Sequence, residues 1–487
     1  MRDGMERWVN TTNVRLDAVL VLLAAGLLLG GAAALLSPLL VLAGLVGLAM
    51  MAVLLSSIQA GFMAIILIAT LLPFAAIPVN IGFYPTFLDI ALASLLILWL
   101  LRLLARPDEQ FVGSPVNLPL LVFIALACVS FVLGMAYSAS RDTVRHFGEI
   151  ILALVVYFAV INNVHERRQI RLFVQLLILG GFVASLIGLI LYILPAQTSS
   201  SLLSRLQVVH YYPEGQGIIR YLGDDPANMR RATSTAVDPN VLGGMLILTA
   251  TLALSQLFSP APVLRRELLA VILLAMCGCL LATFSRGSWA GLAAAALFMS
   301  FVRYRRMWGL FLVLGVLLYL FAPQADVFVG HLLSGARFQD QAAAMRLGEY
   351  KDALKLISQF PVFGVGFGAA PNVDTYLGVS NVYLLIAEEM GLLGLLSFGA
   401  VVLAFFAYVV PRLGHVVDLE MQGILLGLVS ALVGALVAGI LDHYFFNLQF
   451  PHTVTLFWFY MGLAIVVVQN FGGTAADGMR HAVGAVG

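Results

Sequence analysis

The stretch RLFVQLLILGGFVASLIGLILYIL at residues 171–194 holds 24 residues with a single charge, Arg171, at its start. It carries no capping or turn signal inside. A hydrocarbon core of about 30 Å takes about 20 apolar residues in a helix, so this segment has the length and composition of a membrane crossing. Windows of the same character recur along the chain. About fourteen are recognisable by hydropathy, with cores near 18–36, 38–55, 60–76, 88–104, 116–135, 144–161, 171–194, 240–257, 268–284, 288–302, 308–322, 384–409, 421–441 and 452–469. The whole chain agrees. Of 487 residues 61% are hydrophobic and only 10% charged, with a mean hydropathy of +1.01. A globular protein carries about 25% charge. The expected fold is all-α, one polytopic transmembrane bundle spanning residues 1–487, interrupted by two long loops at 195–239 and 323–383.

Net charge is +1, which gives no bulk attraction to nucleic acid. The distribution of charge says more. With both termini on the cytoplasmic side, the short inner segments hold most of the basic residues, from Arg2, Arg7 and Arg15 through Arg102, Arg167, Arg168, Arg265 and Arg303 to Arg412 and Arg480. The positive-inside rule then places both long loops outside, since long segments cross whatever their charge. The run after Arg15 lacks a small-residue cleavage site and is followed by further spans, so it reads as a retained helix. Cys128, Cys277 and Cys279 fall within apolar runs and read as core residues.

On this topology no cytoplasmic segment approaches the size of a nucleotide-binding domain of about 100 residues. If the chain is an enzyme, its substrate must arrive already activated. The outer loops carry the polar chemistry. Loop 195–239 sets Arg205, Arg220, Arg230 and Arg231 against Glu214, Asp224, Asp225 and Asp238. Lysines number only two, Lys351 and Lys355, so cationic binding falls to arginine, whose planar fork matches a pyrophosphate bidentately. Arg286 lies in a turn between two apolar runs, at membrane depth on the same side as the loops, where an ionised group marks a substrate path or a buried partner. Residues 343–360 form an amphipathic helix with Leu347, Tyr350, Leu354 and Ile357 on one side and Arg346, Glu349, Lys351, Asp352 and Lys355 on the others, expected to lie on the outer membrane surface. Pro361 ends it, and Gly364, Gly366 and Gly368 make a turn. Without a preceding strand, these glycines carry little weight as a dinucleotide fingerprint.

Five stretches together resemble the bacterial O-antigen ligase and O-antigen polymerase superfamily: RRATSTAVDPNVLGG at 230–244, LLATFSRGSWAGL at 280–292, RLGEYKDALKLISQFPVFGVGFG at 346–368, SNVYLLIAEEMGLLGLLSF at 380–398 and LDHYFFNLQFPHTVTLFW at 441–458. Residues 1–190 match only in hydropathy. The resemblance implies a membrane glycosyltransferase of the bacterial plasma membrane that uses a polyprenyl-pyrophosphate-linked glycan, without nucleotide, cofactor or metal. It implies that Arg231 and Arg286 contact the donor pyrophosphate. Ligases of this kind commonly carry histidine just before the asparagine of the NxYL stretch; here Ser380 stands before Asn381, which favours a polymerase or another acceptor.

The general base is open among Asp374, Asp442, His443, His452 and His210, any of which could take a proton if held within hydrogen-bond reach. Arg220, Arg230, Arg346, Asn381, Tyr383 and His452 are expected to contact substrate. Glu388 or Glu389, inside a span, is expected to pair with an arginine, as are Asp89 and Glu149. Expected partners are the lipid-linked glycan, a glycan or lipid acceptor, the bilayer and polysaccharide-assembly proteins, with no nucleic acid. Transport competes with transfer, since a flippase would also be a many-helix membrane protein. Transporters show pseudo-symmetric halves with binding residues at the midplane. Neither symmetry nor midplane arginines are visible here.

Overall fold

The computed structural model describes residues 57–80, 82–105, 111–136, 140–211, 218–309, 311–312, 330, 341–368 and 379–472. The spans expected at 18–36 and 38–55, most of 308–322 and much of the second long loop lie outside them. Contacts divide the chain into residues 1–60 and 61–487, and the second unit holds every element below apart from the start of α1.

Helices dominate. In chain order they are α1 (Ile58–Leu71), α2 (Phe87–Ala105), α3 (Asn117–Gly134), α4 (Arg141–Asn163), α5 (Arg167–Ile193), α6 (Ala196–Ser204), α7 (Pro239–Phe258), α8 (Arg266–Ala282), α9 (Arg286–Val302), α10 (Gln341–Gln359), α11 (Val382–Val409), α12 (Leu419–Ala438) and α13 (Pro451–Phe471). The described strands are β1 (Arg220–Tyr221) and β2 (Arg230–Arg231), paired antiparallel in the first long loop. Among the described residues eight helices are long and apolar enough to cross a membrane: α2, α3, α4, α5, α7, α11, α12 and α13. The expected spans at 60–76, 268–284 and 288–302 are shorter helices of 14, 17 and 17 residues. At 1.5 Å per residue, 17 residues reach only about 26 Å.

Burial separates the helices. In α7, α12 and α13 the apolar window is 89%, 83% and 83% buried, against 39% in α2 and 28% in α3. A helix that is apolar all round and buried all round is the centre of the bundle. α9 packs on α7 and α12, and α13 packs on α4 and α12. Where α9 crosses α12, Gly291 faces Gly434 so closely that a Cβ on either would fall 2.7 or 2.6 Å from the other's main-chain oxygen. Small residues at such crossings let backbones approach in a membrane bundle.

α11 is broken at Gly391, whose φ is 68°. The segment 361–368 fills the break: Val365 N donates to Glu388 O at 2.9 Å, Gly366 N to Glu389 O at 3.0 Å, and Leu392 N to Pro361 O at 2.8 Å. Irregular backbone inside a membrane protein persists where protein satisfies its polar groups, and the glycine-rich turn does so here. A Cβ on Gly391 would also collide with Val362 O at 2.2 Å. Among the described residues the expected arginine partner for Glu388 or Glu389 is not found. Among the described residues neither joins an ion pair, and both oxygens of Glu388 and Oε2 of Glu389 are buried without a hydrogen bond. Asp89 and Glu149 do meet an arginine, Arg145, at 3.4 and 2.7 Å.

Candidate functional site

The first long loop turns back through the β1–β2 ribbon, where Arg220 pairs with Arg231 and Tyr221 with Arg230. Directly opposed residues project from one face of an antiparallel pair, so Arg220 and Arg231 share a face and Arg230 points the other way. Arg230 reaches Leu194 O at 2.8 Å, and burial lowers its pKa. Arg231 donates through Nε to Thr283 O at 2.7 Å and through a terminal nitrogen to Asn240 Oδ1 at 2.6 Å. Beside it Ala232 N donates to Ala282 O at 2.8 Å. Both contacts fix the loop to the turn between α8 and α9, one residue pair before Arg286.

The DPN sequence starts α7 by ordinary capping chemistry. Asp238 accepts from Asn240 N and Val241 N, Pro239 occupies the first turn, and Asn240 turns its carbonyl to Arg231. Four non-glycine residues among those described have positive φ: His210, Ser234, Val237 and Phe284. Three of them flank Arg231, Asp238 and Arg286. For a β-branched residue such as Val237 that conformation is a true outlier, and strain of this kind collects at functional sites.

Arg286 is the first residue of α9 and is half-buried. A helix N-terminus carries unpaired N–H groups and a partial positive charge, which adds to the guanidinium. Ser285 and Ser288 share a hydrogen bond at 2.9 Å, and Ser288 Oγ lies 3.3 Å from the Tyr444 hydroxyl. The close approach rests on the glycine pair of NVLGG. A Cβ on Gly243 would fall 2.2 Å from Ser288 Oγ, and one on Gly244 2.2 Å from the Tyr444 ring. Trp289 bonds Leu280 O at 2.8 Å through its indole and closes the same turn.

α10 docks on α11. Leu347 and Leu354 are 45% and 56% exposed, whereas Ala353 and Leu356 are buried. The face carrying Arg346, Glu349 and Tyr350 is the one turned towards the protein, because its polar groups find partners on the 380 and 440 turns. Glu349 Oε2 accepts from Ser380 N at 2.9 Å. Tyr350 donates to Ser380 O at 3.3 Å and Ile440 O at 3.2 Å. Arg346 lies 4.0 Å from Asp442 Oδ2, and His443 N donates to Asp442 Oδ1 at 2.9 Å. Burial raises the Asp442 pKa, opposed by His443 and Arg346 and reinforced by Asp238. Burial also holds the Tyr350 and Tyr444 phenols above their ordinary range, so both stay hydrogen-bond donors.

Asn381 is engaged by the protein at both ends of its amide. Its Oδ1 caps α11 through Tyr383 N and Leu384 N, and its Nδ2 donates to Ile440 O at 2.9 Å. Tyr383 reaches Leu436 O at 2.8 Å. His452 is fully buried, its ring 5.0 Å from that of Phe74 and 6.4 Å from that of Phe450, with no hydrogen-bond partner among the described residues. Asp374 lies outside the described residues.

A cavity of about 900 Å³ opens beside the DPN turn, lined among others by Arg145, His146, His210, Arg220, Val237 and Asp238. Tyr84 and His210, stacked at 4.0 Å, form part of its wall. Asp238 belongs both to this wall and to the electrostatic surroundings of Asp442 and Tyr444. Of the residues named from sequence, Arg231, Arg286, Arg346, Asn381, Asp442 and His443 therefore lie on a connected set of turns, with Arg220 on the cavity beside them. Arg230, Tyr383 and His452 point into other surroundings. Sequence reasoning passed over Asn240, Ser288 and Tyr444, and read Tyr350 only as part of the apolar side of α10. It read Glu349 only as one polar residue of a surface helix, although its i, i+3 spacing from Arg346 puts both on one face.

Residues 270–399 match the family model described as O-antigen ligase, which supports the O-antigen ligase and polymerase superfamily. The matched stretch contains Arg286, Arg346, Glu349 and Asn381; Arg231 and Asp442 flank it. No curated protein matches the chain.

Proposed function

We propose, from the O-antigen ligase domain at residues 270–399, that this multi-pass membrane protein polymerises glycan repeats by transfer from a polyprenyl-pyrophosphate donor to an acceptor hydroxyl at the outer face of the plasma membrane. One observation carries the reading: the Arg231 guanidinium is anchored on the main chain of the turn that delivers Arg286 to the start of α9. Two arginines and a helix N-terminus on one turn form a seat for a compact, doubly charged anion.

In the reaction, the acceptor oxygen bonds to the anomeric carbon as that carbon's bond to the pyrophosphate oxygen breaks. The electron pair leaves on polyprenyl pyrophosphate. Arg231 and Arg286 stabilise the charge that develops there, which is preorganised electrostatic catalysis. Because the guanidiniums supply this charge, transfer is expected to persist in excess chelator. The cavity next to Asp238 offers room for the sugars.

Ser380 in place of histidine favours a polymerase over a ligase that attaches glycan to a lipid or protein acceptor. The test is reconstitution of purified protein with a polyprenyl-pyrophosphate-linked repeat. Growth of the lipid-linked chain supports polymerase, capture by a lipid-core or protein acceptor supports ligase, and vectorial movement of the donor without a new glycosidic bond would refute transfer.

A further inference from the structure

We infer that Glu349 is the general base that takes the proton from the acceptor hydroxyl, an assignment that rests on the transfer reaction proposed above. Among the described residues four carboxylates or imidazoles meet the turns that carry the arginines: Asp238, Asp442, His443 and Glu349. Asp238 Oδ1 caps α7 by accepting from two main-chain amides. Asp442 is only 5% exposed, with one oxygen bonded to His443 N and the other facing Arg346. The His443 ring lies over Phe450, and its Nδ1 is buried 3.9 Å from Asp442 Oδ1. Glu349 is half-buried, as Asp238 and His443 are, whereas Asp442 is enclosed; unlike the helix-capping Asp238 it accepts from one main-chain amide among the described residues, Ser380 N to Oε2 at 2.9 Å. A carboxylate offers about four acceptor positions, so the Ser380 amide fixes the group without exhausting it.

Its place in the helix gives the assignment its chemistry. Arg346 and Glu349 stand at i and i+3, so one face of α10 presents a cation and, one turn on, a carboxylate. Arg346 faces anionic charge near Asp442, while Glu349 meets the N-terminal turn of α11 at Ser380 and Asn381. In the step, the acceptor O–H proton passes to a Glu349 oxygen, the acceptor oxygen forms the glycosidic bond, and the leaving electron pair goes to pyrophosphate. The proton is then released to solvent, restoring the carboxylate. The charged and titratable groups on the elements around it are Arg346, Tyr350 and Asp352 on α10, Glu388 from α11, and Asp442 with His443 from the turn before α13.

Glu349→Gln separates proton transfer from positioning, because a glutamine carbonyl still accepts from Ser380 N. With the reconstituted full chain and a lipid-linked donor, this variant is expected to keep the wild-type KM for donor and lose about 10²–10⁴-fold in kcat, together with the acid limb of the pH–rate profile. Adding Ser380→His to Glu349→Gln puts an imidazole at the site, and is expected to recover part of kcat with a limb near the imidazole range, about 6.5. Should Glu349→Gln fail to accumulate, Glu349→Asp keeps the limb but shortens the reach, with at least about a tenfold loss in kcat. Wild-type kcat in Glu349→Gln, or in Glu349→Asp, overturns the inference, as does an acid limb that survives Glu349→Gln and vanishes in His443→Gln. If the wild-type protein itself makes no glycosidic bond from this donor, the proposed function fails instead.

Discussion

Arg231 donates through Nε to the main-chain oxygen of Thr283 at 2.7 Å, across a sequence separation of 52 residues. Thr283 closes α8 and lies three residues before Arg286, so this bond sets one arginine against the turn that presents the other. A main-chain acceptor holds the guanidinium plane in a fixed direction, leaving its remaining donors aimed by Asn240.

Replacing Arg286 by Lys keeps the charge and loses the planar fork. Transfer from a polyprenyl-pyrophosphate donor is expected to fall by about two to three orders of magnitude, as for loss of one preorganised donor. Arg286→Ala and Arg231→Ala should abolish it, with membrane levels of the protein unchanged. Near wild-type turnover by purified Arg286→Lys would show that the side chain serves only as an interfacial charge.

Asn240→Ala removes the acceptor 2.6 Å from the Arg231 guanidinium but leaves the Asp238 cap in place. The expected result is a loss of kcat of about ten- to a hundredfold from misdirection of Arg231, with little change in thermal midpoint. A large loss of stability with kcat intact would assign Asn240 to folding instead.

Gly243→Ala and Gly244→Ala each drive a methyl group into Ser288 Oγ or the Tyr444 ring. Overpacking of this kind costs about 1–3 kcal/mol. Thermal unfolding in detergent should register it, with Gly278→Ala as the comparison, since an added Cβ there meets nothing within 4 Å. Equal midpoints for all three would contradict the tight contact of α7 with α9 and the Tyr444 turn.

Asp442 connects stability to pH. Burial raises its folded pKa above the ordinary 3.8, so its contribution is fully present below that value and is lost as pH rises through the folded pKa. Once pH has risen past the folded pKa, the ionised, buried carboxylate is a net cost to folding. Asp442→Asn is therefore expected to be at least as stable as wild type at neutral pH, with the advantage disappearing in acid, while activity falls because Arg346 loses its carboxylate. Thermal midpoints of the two proteins measured across pH 3–8 (about the span of ordinary carboxylate and imidazole titration) check the sign; a variant clearly less stable at neutral pH would reverse it.

The orientation rests on arginine in the short segments. A cysteine at Thr198, exposed on α6, should react with an impermeant maleimide in sealed cells, and one at Pro260, exposed in the turn before α8, should not. The reverse pattern would place the arginine turns on the cytoplasmic side.

What the sequence by itself determined is local and periodic. Hydropathy over about 20 residues marks the long spans, and each of the eight long apolar helices overlaps a window legible from composition. The DPN start of α7 and the stop at Pro361 are likewise readable, because capping and ring sterics act within a few residues. The window at 60–76 overstated α1, which ends at Leu71, since hydropathy does not register where a helix gives way to a turn; those at 268–284 and 288–302 were no longer than α8 and α9. Only the tertiary structure decided which way α10 faces, that Glu349 meets Ser380 across 31 residues, and that Gly243 and Gly244 admit Ser288 and Tyr444. The physical reason is range. A helix forms from interactions three and four residues apart, whereas a site for a charged leaving group needs side chains from distant turns held within ångströms, and that register is set by packing of α7, α9 and α12 that no single segment encodes.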